Sequence, residues 1–290
     1  MADSSGRAPA VAPCAICGGV GYLIGRDGEH ARARACTCQE KCGICGGNRF
    51  VIEREADGYD VAKPCVCTQI LERVRCYNEA TIPGAYADKH VASFNDRATE
   101  SLKRAKYCMM RYQQAVDVST ADGLVLLGGP GVGKTHLVVG LLAHLTLERA
   151  IPCRFVDFYQ LCARLRSTFG GNGEETESSI IEPLVSVPVL VLDDLGKGQG
   201  SAWELTVIDQ IVTRRYNAGR IILATSNYLP EDELERRGHD AAKDRRRGGR
   251  YEPSLEERID QRLVSRLRQN CEFLILDGVS DFRSLPRKGA

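Results

Sequence analysis

The chain has 290 residues, of which 43% are hydrophobic and 27% are charged, and its formal net charge is +1. This length allows one full α/β core and a small additional module, so we expect two folded domains and not three. The small net charge provides no global basic field that would by itself attract nucleic acid, although local basic runs remain possible. No stretch of about eighteen apolar residues predicts a membrane span. Residues 1–12 form a disordered lead-in by composition and lack the features of a secretory signal, so we expect a cytoplasmic protein without membrane association.

Eight of the 13 cysteines fall between positions 14 and 67, in two copies of one pattern. Each copy has a CxxC pair followed by two glycines and then a CxC pair, at nearly the same interval: Cys14, Cys17, Cys36 and Cys38, then Cys42, Cys45, Cys65 and Cys67. Short strands at 20–24 and 49–54, with Asp-Gly turns at 27–28 and 57–58, predict a β-hairpin between the pairs of each copy. A cytosolic chain does not favour disulfides, so this clustering predicts metal.

Zinc prefers a tetrahedron of four such ligands, and each copy offers four thiolates. The repeat favours one zinc ion in each copy, in tandem. The alternative is a nested arrangement in which the outer four cysteines share one ion and the inner four another, as in the CxxCxGxG repeats of DnaJ chaperones, which these pairs partly resemble. An iron–sulfur cluster is the main chemical rival. A closed zinc site has no open coordination position, so we expect a docking role for a module that folds with its metal.

Strands and helices alternate in the rest of the chain. A helix with apolar residues at helical spacing is predicted over 98–116, after a break at 82–84. Short apolar strands are predicted at 124–127, 153–156, 189–192, 221–224 and 273–276, with helices over 134–148, 159–169 and 203–217 and a loop over 170–178. This alternation predicts an α/β fold with a five-stranded parallel sheet covered on both faces. We divide the chain into the lead-in, a cysteine-rich double zinc module at 13–75, a linker with an approach helix at 76–120, and a larger domain at 121–290 that contains this sheet.

A phosphate-binding loop follows the first of these strands. The motif G-x-x-x-x-G-K-[ST] is matched in full between a predicted strand and a predicted helix, by Gly128, Gly129, Pro130, Gly131, Val132, Gly133, Lys134 and Thr135. The glycines let backbone N–H groups surround the β-phosphate, Lys134 reaches the β and γ oxygens, and the Thr135 hydroxyl ligates magnesium. We include the following His136 among the nucleotide contacts, although helix packing alone would also explain it. A glycine-rich turn without function is the alternative that we reject.

Carboxylates and an amide complete the predicted site for ATP and magnesium. The strand 189–192 runs into Asp193, which would hold magnesium through water, and Asp194, which would orient or deprotonate the attacking water. Many ATPases of this kind have glutamate in the second place, so the shorter Asp194 predicts slow, switch-like hydrolysis. After the next strand, Asn227 or Thr225 would contact the γ-phosphate or its water. We favour Asn227, and the alternative is a simple turn cap before Pro230.

Two arginine-rich segments follow. Arg258, Arg262, Arg266 and Arg268 lie on one predicted helix, and an arginine presented across a subunit interface stabilises the γ-phosphate of a neighbour. A solvated helix face is the alternative. The insert 236–250 carries seven basic residues against two aspartates. We predict that it contacts nucleic acid phosphates with steep salt dependence, and a solvated loop is an equally good interpretation.

Together these segments resemble the AAA+ ATPases of the DnaC, DnaI and IstB group, over residues 79–283. The resemblance rests on six segments: 82–94, 131–137, 193–196, 225–227, 262–267 and 280–283. It implies a P-loop sheet without the helical lid of most AAA+ proteins, since the chain ends soon after the fifth strand. It also implies Arg266 as an arginine finger, Arg283 as the sensor 2 arginine, and 159–184 as a helical element that contacts single-stranded DNA.

Members of that group load the replicative helicase onto DNA or assist a transposase. The resemblance therefore implies an ATP-switched loader that assembles as a homo-oligomer around single-stranded DNA and holds a helicase through the zinc module. A transposition helper with the same ATPase is the close variant. An adaptor that binds ATP without useful hydrolysis is the alternative from another class, and a small-molecule P-loop kinase is disfavoured because no acceptor-binding segment follows the P-loop.

Overall fold

The structure is a computed structural model that describes residues 14–40, 42–55, 58–170, 175–198, 200–238, 252–277 and 281–282. The predicted lead-in at 1–12 lies outside these residues. None of the described helices combines the length and the apolar character that crossing a membrane requires.

Two antiparallel hairpins form the N-terminal part, as the cysteine repeat predicts. The strands are β1 (Tyr22–Asp27) with β2 (His30–Ala35), and β3 (Phe50–Arg54) with β4 (Asp60–Pro64). Helix α1 (Cys67–Glu79) follows directly and spans the predicted boundary between residues 75 and 76. Helix α1 packs on β2 and also on elements of the larger domain, so its packing does not decide where one domain ends and the next begins. The division of the chain into domains stays a prediction.

A five-stranded parallel sheet forms the centre of the remaining chain, which confirms the predicted fold class. Its strands are β5 (Gly123–Leu127), β6 (Cys153–Asp157), β7 (Val189–Asp193), β8 (Ile221–Ser226) and β9 (Cys271–Ile275), in the spatial order β6-β7-β8-β5-β9. The central strands β5, β7 and β8 are buried along their whole length, as expected for a sheet covered on both faces.

Helices cover both faces of this sheet. One face carries α1, α2 (Glu100–Ala115) and α3 (Lys134–Leu147), and Leu124 and Leu126 point into this layer. The other face carries α4 (Phe158–Ser167), α5 (Glu177–Ser186), α6 (Ala202–Asn217) and the helices that precede β9, and Val125 and Leu127 point there. A short helix α7 (Glu231–Arg236) follows β8.

Two sequence predictions on the second face are wrong. The four arginines do not share one helix, because the chain forms α8 (Leu255–Ile259) and α9 (Gln261–Asn270), separated at Asp260. Asp260 adopts a φ of 78°, and its side chain accepts a hydrogen bond from the N–H of Arg262, so it begins the second helix. Arg258 therefore lies on a separate helix. The predicted loop 170–178 also ends early, since the Thr176 side chain caps α5 two residues before its end.

Candidate functional site

The glycine-rich turn joins β5 to α3 in the conformation that its sequence predicts. Gly128, Gly131 and Gly133 have φ values of 142°, 74° and 97°, a region that side chains with a Cβ rarely adopt. Gly133 also has no room for a side chain, because a Cβ there would lie 2.5 Å from the ring of Phe94. Packing against Phe94 is thus a second reason for glycine here, besides the backbone conformation of the turn.

Lys134 begins α3 and is 5% exposed. Its Nζ donates hydrogen bonds to the backbone oxygens of Gly128 and Gly129, both at 2.8 Å, and to Oδ1 of Asn227 at 2.7 Å. The structure therefore brings together the two residues that sequence reasoning assigned to the γ-phosphate, from the turn after β5 and the end of β8. An ammonium group held by three oxygens at this place can exchange some of them for phosphate oxygens.

Asp193 ends β7 and faces the threonine of the P-loop. The Thr135 hydroxyl donates to Oδ1 of Asp193 at 3.0 Å, and the Thr225 hydroxyl donates to the same oxygen at 2.7 Å. Burial raises the pKa of Asp193 to about 6. The hydrogen bonds from Thr225 and Thr135 lower this pKa, whereas the charge of Asp194 raises it. A carboxylate beside a hydroxyl offers the oxygen ligands that magnesium prefers, so Thr135 and Asp193 fit the ion and would hold it here.

Asp194 and Thr225 form a second link between the strand ends. Asp194 has a φ of 55°, its N–H donates to the Thr225 hydroxyl at 2.9 Å, and its carboxylate pairs with Lys197 at 2.9 Å. Thr225 is fully buried, and its hydroxyl holds the carboxylate of Asp193 and the backbone of Asp194. Sequence reasoning missed this positioning role when it weighed the residue as a phosphate contact. The available signal was its place on β8 beside the end of β7. The sequence analysis also did not predict the ion pair between Lys197 and Asp194.

A cavity of about 1470 Å³ opens beside these groups. Its lining includes Lys134, Thr135, Asp193, Asp194 and Asn227. Residues between positions 81 and 95, which precede α2, and residues of β6 and α4 also line it. Its volume exceeds the roughly 300–1,000 Å³ of typical small-molecule sites, so a nucleotide fits with space remaining.

Three other residues that were predicted to contact nucleotide are His136, Arg266 and Arg283. His136 lines the cavity but packs edge-on against Phe94 at 5.4 Å between ring centres, with its Nε2 3.0 Å from the backbone oxygen of His90. Arg266 lies near the first residues of β5, β8 and β9, at the opposite edge of the sheet, where it binds Asp209. It cannot reach the P-loop of its own chain. Arg283 lies outside the described residues.

The eight N-terminal cysteines form two tetrads in tandem, which we call tetrad 1 and tetrad 2: Cys14, Cys17, Cys36 and Cys38, and Cys42, Cys45, Cys65 and Cys67. Within each tetrad all the sulfur atoms lie within 4.8 Å of one another. Paired Sγ atoms are 3.9 and 3.6 Å apart in tetrad 1 and 3.8 and 3.6 Å apart in tetrad 2. A tetrahedron with zinc–sulfur bonds of about 2.3 Å has edges of roughly 3.8 Å, so both tetrads fit zinc.

The electrostatics of the tetrads also suit a divalent cation. Backbone N–H groups, with that of Gly21 foremost, lower the pKa of Cys17 to about 7. In tetrad 2, N–H groups of Gly47 and Arg49 outweigh burial and lower the pKa of Cys45 to about 7, while burial and neighbouring sulfurs raise that of Cys67 to about 12. Negative charges on sulfurs this close repel one another, and a bound cation relieves that repulsion.

The arginine-rich insert is described only at its start. Arg236 pairs with Asp232 at 2.9 Å and Arg237 pairs with Asp277 at 2.5 Å, so both guanidinium groups already have carboxylate partners. Residues 239–251, which carry the remaining basic side chains of the insert, lie outside the described residues.

Comparison with known proteins also supports an ATP-binding site in this chain. The family described as IstB-like ATP binding protein matches residues 75–236, which is more than half of the chain. This chain belongs to the IstB-like ATP-binding proteins. The family lies within the AAA+ ATPases of the DnaC, DnaI and IstB group, so the predicted resemblance is confirmed.

Relatives of this IstB-like chain include helicase loaders. The replicative helicase loader DnaC of Buchnera aphidicola subsp. Schizaphis graminum is 31% identical over 133 residues, 46% of this chain and 52% of that protein. The protein YqaM of Bacillus subtilis is 21% identical over 224 residues, 74% of this chain and 63% of that protein. A crystal structure of the DnaC helicase loader aligns with a TM-score of 0.55 and 26% identity, and covers 67% of this chain and 99% of the other. The chain thus spans between half and two thirds of the length of these two curated relatives.

Proposed function

We propose that this chain binds and hydrolyses ATP with magnesium and acts in DNA replication as a helicase loader-like factor. The arrangement of Lys134, Thr135, Asp193 and Asn227 around one cavity is the observation that supports ATP binding most directly. Thr135 and Asp193 would hold magnesium, which would supply positive charge to offset the negative charge that develops during phosphoryl transfer. In this scheme Lys134 binds the phosphates and Asp194 orients the attacking water.

Arg266, Arg283 and residues 159–184 have further roles in this proposal. Arg266, which faces away from its own P-loop, would reach the γ-phosphate of a neighbouring subunit in an ATP-bound homo-oligomer. Arg283 would contact the nucleotide as the sensor 2 residue. Single-stranded DNA is the expected ligand of the assembled form, and residues 159–184 would contact it.

The second hairpin provides the surface that such a factor needs for a protein partner. Phe50 and Ile52 share a face of β3 and are 56% and 75% exposed. Ala62 and Pro64 lie opposite them on β4 and are exposed as well. Exposed apolar side chains that adjoin one another on a sheet face can serve as a protein interaction site. We assign it to the replicative helicase because the chain is similar to DnaC helicase loaders.

This assignment predicts that Ile52→Asp reduces capture of a purified replicative helicase by about tenfold or more, because a charge would be desolvated in the interface. The measurement is a pull-down with ATP, with ADP and without nucleotide. Val61→Asp is the matched control, since Val61 lies in the same hairpin on the opposite face and should leave capture unchanged. ATP affinity should stay at the wild-type value in both variants.

Assistance of a transposase is the second candidate, favoured by the match to the IstB-like family. The same pull-down distinguishes the two, because a transposition helper would retain a transposase and not the helicase. If Ile52→Asp and Val61→Asp capture the helicase equally well, the second hairpin is not the docking surface. If wild-type protein neither captures the helicase nor binds DNA more tightly with ATP, the loader assignment is wrong.

Metal content provides a separate prediction. Purified protein should contain two zinc equivalents per chain by mass spectrometry of the metal, and Cys65→Ser should contain one, because each tetrad holds four ligands of its own. Absorption in the visible range with iron in the sample would instead indicate an iron–sulfur cluster. A loss of both ions in Cys65→Ser would show that the tetrads do not bind metal independently.

A further inference from the structure

The two cysteine hairpins have the same internal pattern but different surroundings. Tyr22 and Ile24 stand five and seven residues after Cys17, as Phe50 and Ile52 do after Cys45. In the first hairpin this apolar face is covered by the ATPase core, where Ala31 and Ala33 are 1% and 5% exposed. In the second hairpin the equivalent face is open to solvent. The first hairpin is therefore part of the ATPase core, and the second is not.

Specific hydrogen bonds hold the first hairpin in place. The side chain of Asn78 on α1 accepts from the N–H of Ala33 at 2.8 Å and donates to its carbonyl oxygen at 2.9 Å. At the other end of the sheet face, the hydroxyl of Tyr22 donates to Glu148 at 2.7 Å, just after α3. The Asn78 bonds satisfy backbone groups at the edge of β2, and the Tyr22 bond links β1 to the end of α3.

The turn of this hairpin also forms backbone hydrogen bonds with Ile82 and Gly84, at the start of the segment 82–94. The N–H of Ala31 donates to the oxygen of Ile82 at 2.8 Å, and the N–H of Gly84 donates to the oxygen of Glu29 at 2.7 Å. Gly84 lies so close that a Cβ there would be 2.8 Å from the side chain of Arg26. The segment that begins at Ile82 is thus fixed to the hairpin by backbone bonds on one side.

The same segment contacts the P-loop on its other side. The ring of Phe94 lies against Gly133, and a Cβ at Gly140 of α3 would be 2.6 Å from the backbone nitrogen of Val91. Lys106 of α2 donates to the oxygen of Phe94 at 2.9 Å and fixes this end of the segment. Residues 82–94 therefore lie between the first hairpin and the phosphate-binding turn, in contact with both.

The hairpin turn itself reaches the nucleotide cavity. Glu29 and His30 line the same cavity as Lys134 and Asp193. The Nδ1 atom of His30 is buried and has no hydrogen-bond partner among the residues that the structure describes.

We propose that the turn at Glu29 and His30 is part of the nucleotide site, so that metal at tetrad 1 and ATP bind cooperatively while metal at tetrad 2 does not take part. This inference rests on the proposed binding of ATP and zinc. The ion at tetrad 1 holds β1 and β2 together, the hairpin holds residues 82–94 on the P-loop, and the nucleotide binds to the surface so formed. Linkage is reciprocal, so ATP must also strengthen metal retention at tetrad 1.

A matched pair of variants tests the first half of this linkage. Cys36 and Cys65 occupy equivalent positions of the repeat, and each is 2% exposed. We expect Cys36→Ser to weaken binding of a fluorescent ATP analogue by about 5-fold to 150-fold, the usual range of coupling between sites. Cys65→Ser should bind the analogue as tightly as wild type. Circular dichroism and thermal melting of both variants show whether the ATPase core is folded.

Metal release from the wild-type protein tests the second half, and the two variants serve only to assign each release phase to a tetrad. A colorimetric chelator should remove two zinc equivalents in two phases, and saturating ATP with magnesium should slow one phase and leave the other unchanged. The slowed phase should be absent in Cys36→Ser and present in Cys65→Ser. This result would support the inference even if Cys36→Ser alone were poorly folded.

The possible failures are distinguishable. If wild-type protein binds ATP and two zinc ions but ATP changes neither release phase, the coupling is refuted and the proposed function stands. If both cysteine variants lose ATP affinity equally, the assignment to tetrad 1 is wrong. If wild-type protein binds no ATP or no zinc, the proposed function fails and this inference fails with it.

Discussion

Replacing Asp193 with asparagine is expected to lower ATP turnover by about 100-fold to 1,000-fold, the usual effect of removing one group that stabilises transition-state charge. Asparagine has the same size and still accepts hydrogen bonds from Thr135 and Thr225, so the strand ends should keep their arrangement. It lacks the negative charge that holds magnesium. Phosphate release at saturating ATP measures turnover, and the melting temperature should stay close to that of wild type.

Asp157 provides the matched control for this substitution. It ends β6, pairs in register with Asp193 on β7, and lines the same cavity. Its carboxylate caps α4 by accepting from the N–H of Gln160 at 2.9 Å, a role that asparagine performs equally well. Asp157→Asn should therefore hydrolyse ATP at nearly the wild-type rate. Equal turnover in wild type and Asp193→Asn would contradict the assignment of magnesium to Asp193.

Turnover measurements also address the adaptor hypothesis, in which ATP is bound and never usefully hydrolysed. Lys134→Ala should abolish nucleotide binding, and Asp194→Asn should slow hydrolysis while binding is kept. If wild type, Lys134→Ala and Asp194→Asn give equal rates, hydrolysis has no role in this chain. Asp194 pairs with Lys197 through Oδ2, and a carboxylate has a second oxygen that can still accept a hydrogen bond from water.

The sequence predicts most of the phosphate site because its features are local. Glycines with positive φ, a lysine and a threonine at fixed spacing specify a strand, a turn and a helix within a dozen residues. The cysteine tetrads are predictable for the same reason, since the repeat favours one set of four sulfurs in each copy, and the structure has this tandem arrangement and not the nested one. Asp193 and Asn227 follow from their places at the ends of strands, because the carboxyl ends of parallel strands meet at one edge of a sheet.

Features that depend on tertiary packing could not be predicted in this way. Tyr22 and Ile24 resemble Phe50 and Ile52 in composition and spacing, so nothing local shows that only the first pair is covered by the core. The break at Asp260 depends on one residue with a positive φ inside a pattern of otherwise helical period. The α5 helix contains Pro183, which local propensity disfavours in a helix, and packing against α6 stabilises it nonetheless.

The other large effect concerns Arg215, a residue of α6 that sequence patterning did not single out. Its side chain is fully buried, and its guanidinium donates to five backbone oxygens: those of Leu184 at 2.7 Å, Val185 at 3.2 Å, Val187 at 2.7 Å, Pro188 at 3.0 Å and Ile221 at 2.5 Å. Burial lowers the pKa of Arg215, since the charge has lost its water, and the oxygens of the α5 end and of β8 take the place of that water. This one side chain thus joins α5, α6, β8 and the two residues that lead into β7.

We expect Arg215→Met to lower the free energy of unfolding by roughly 3–5 kcal/mol, because several buried carbonyl oxygens lose their donor at once. Urea unfolding followed by circular dichroism measures the change. Arg214→Met is the control, since Arg214 is the adjacent residue of the same type and pairs with Glu182 at 2.8 Å on the surface, where an ion pair contributes about 0–1 kcal/mol. Similar losses in both variants would show that the buried guanidinium is not the main link between these elements. Asp193 ends β7 and Asn227 directly follows β8, so the elements that Arg215 links also position the site.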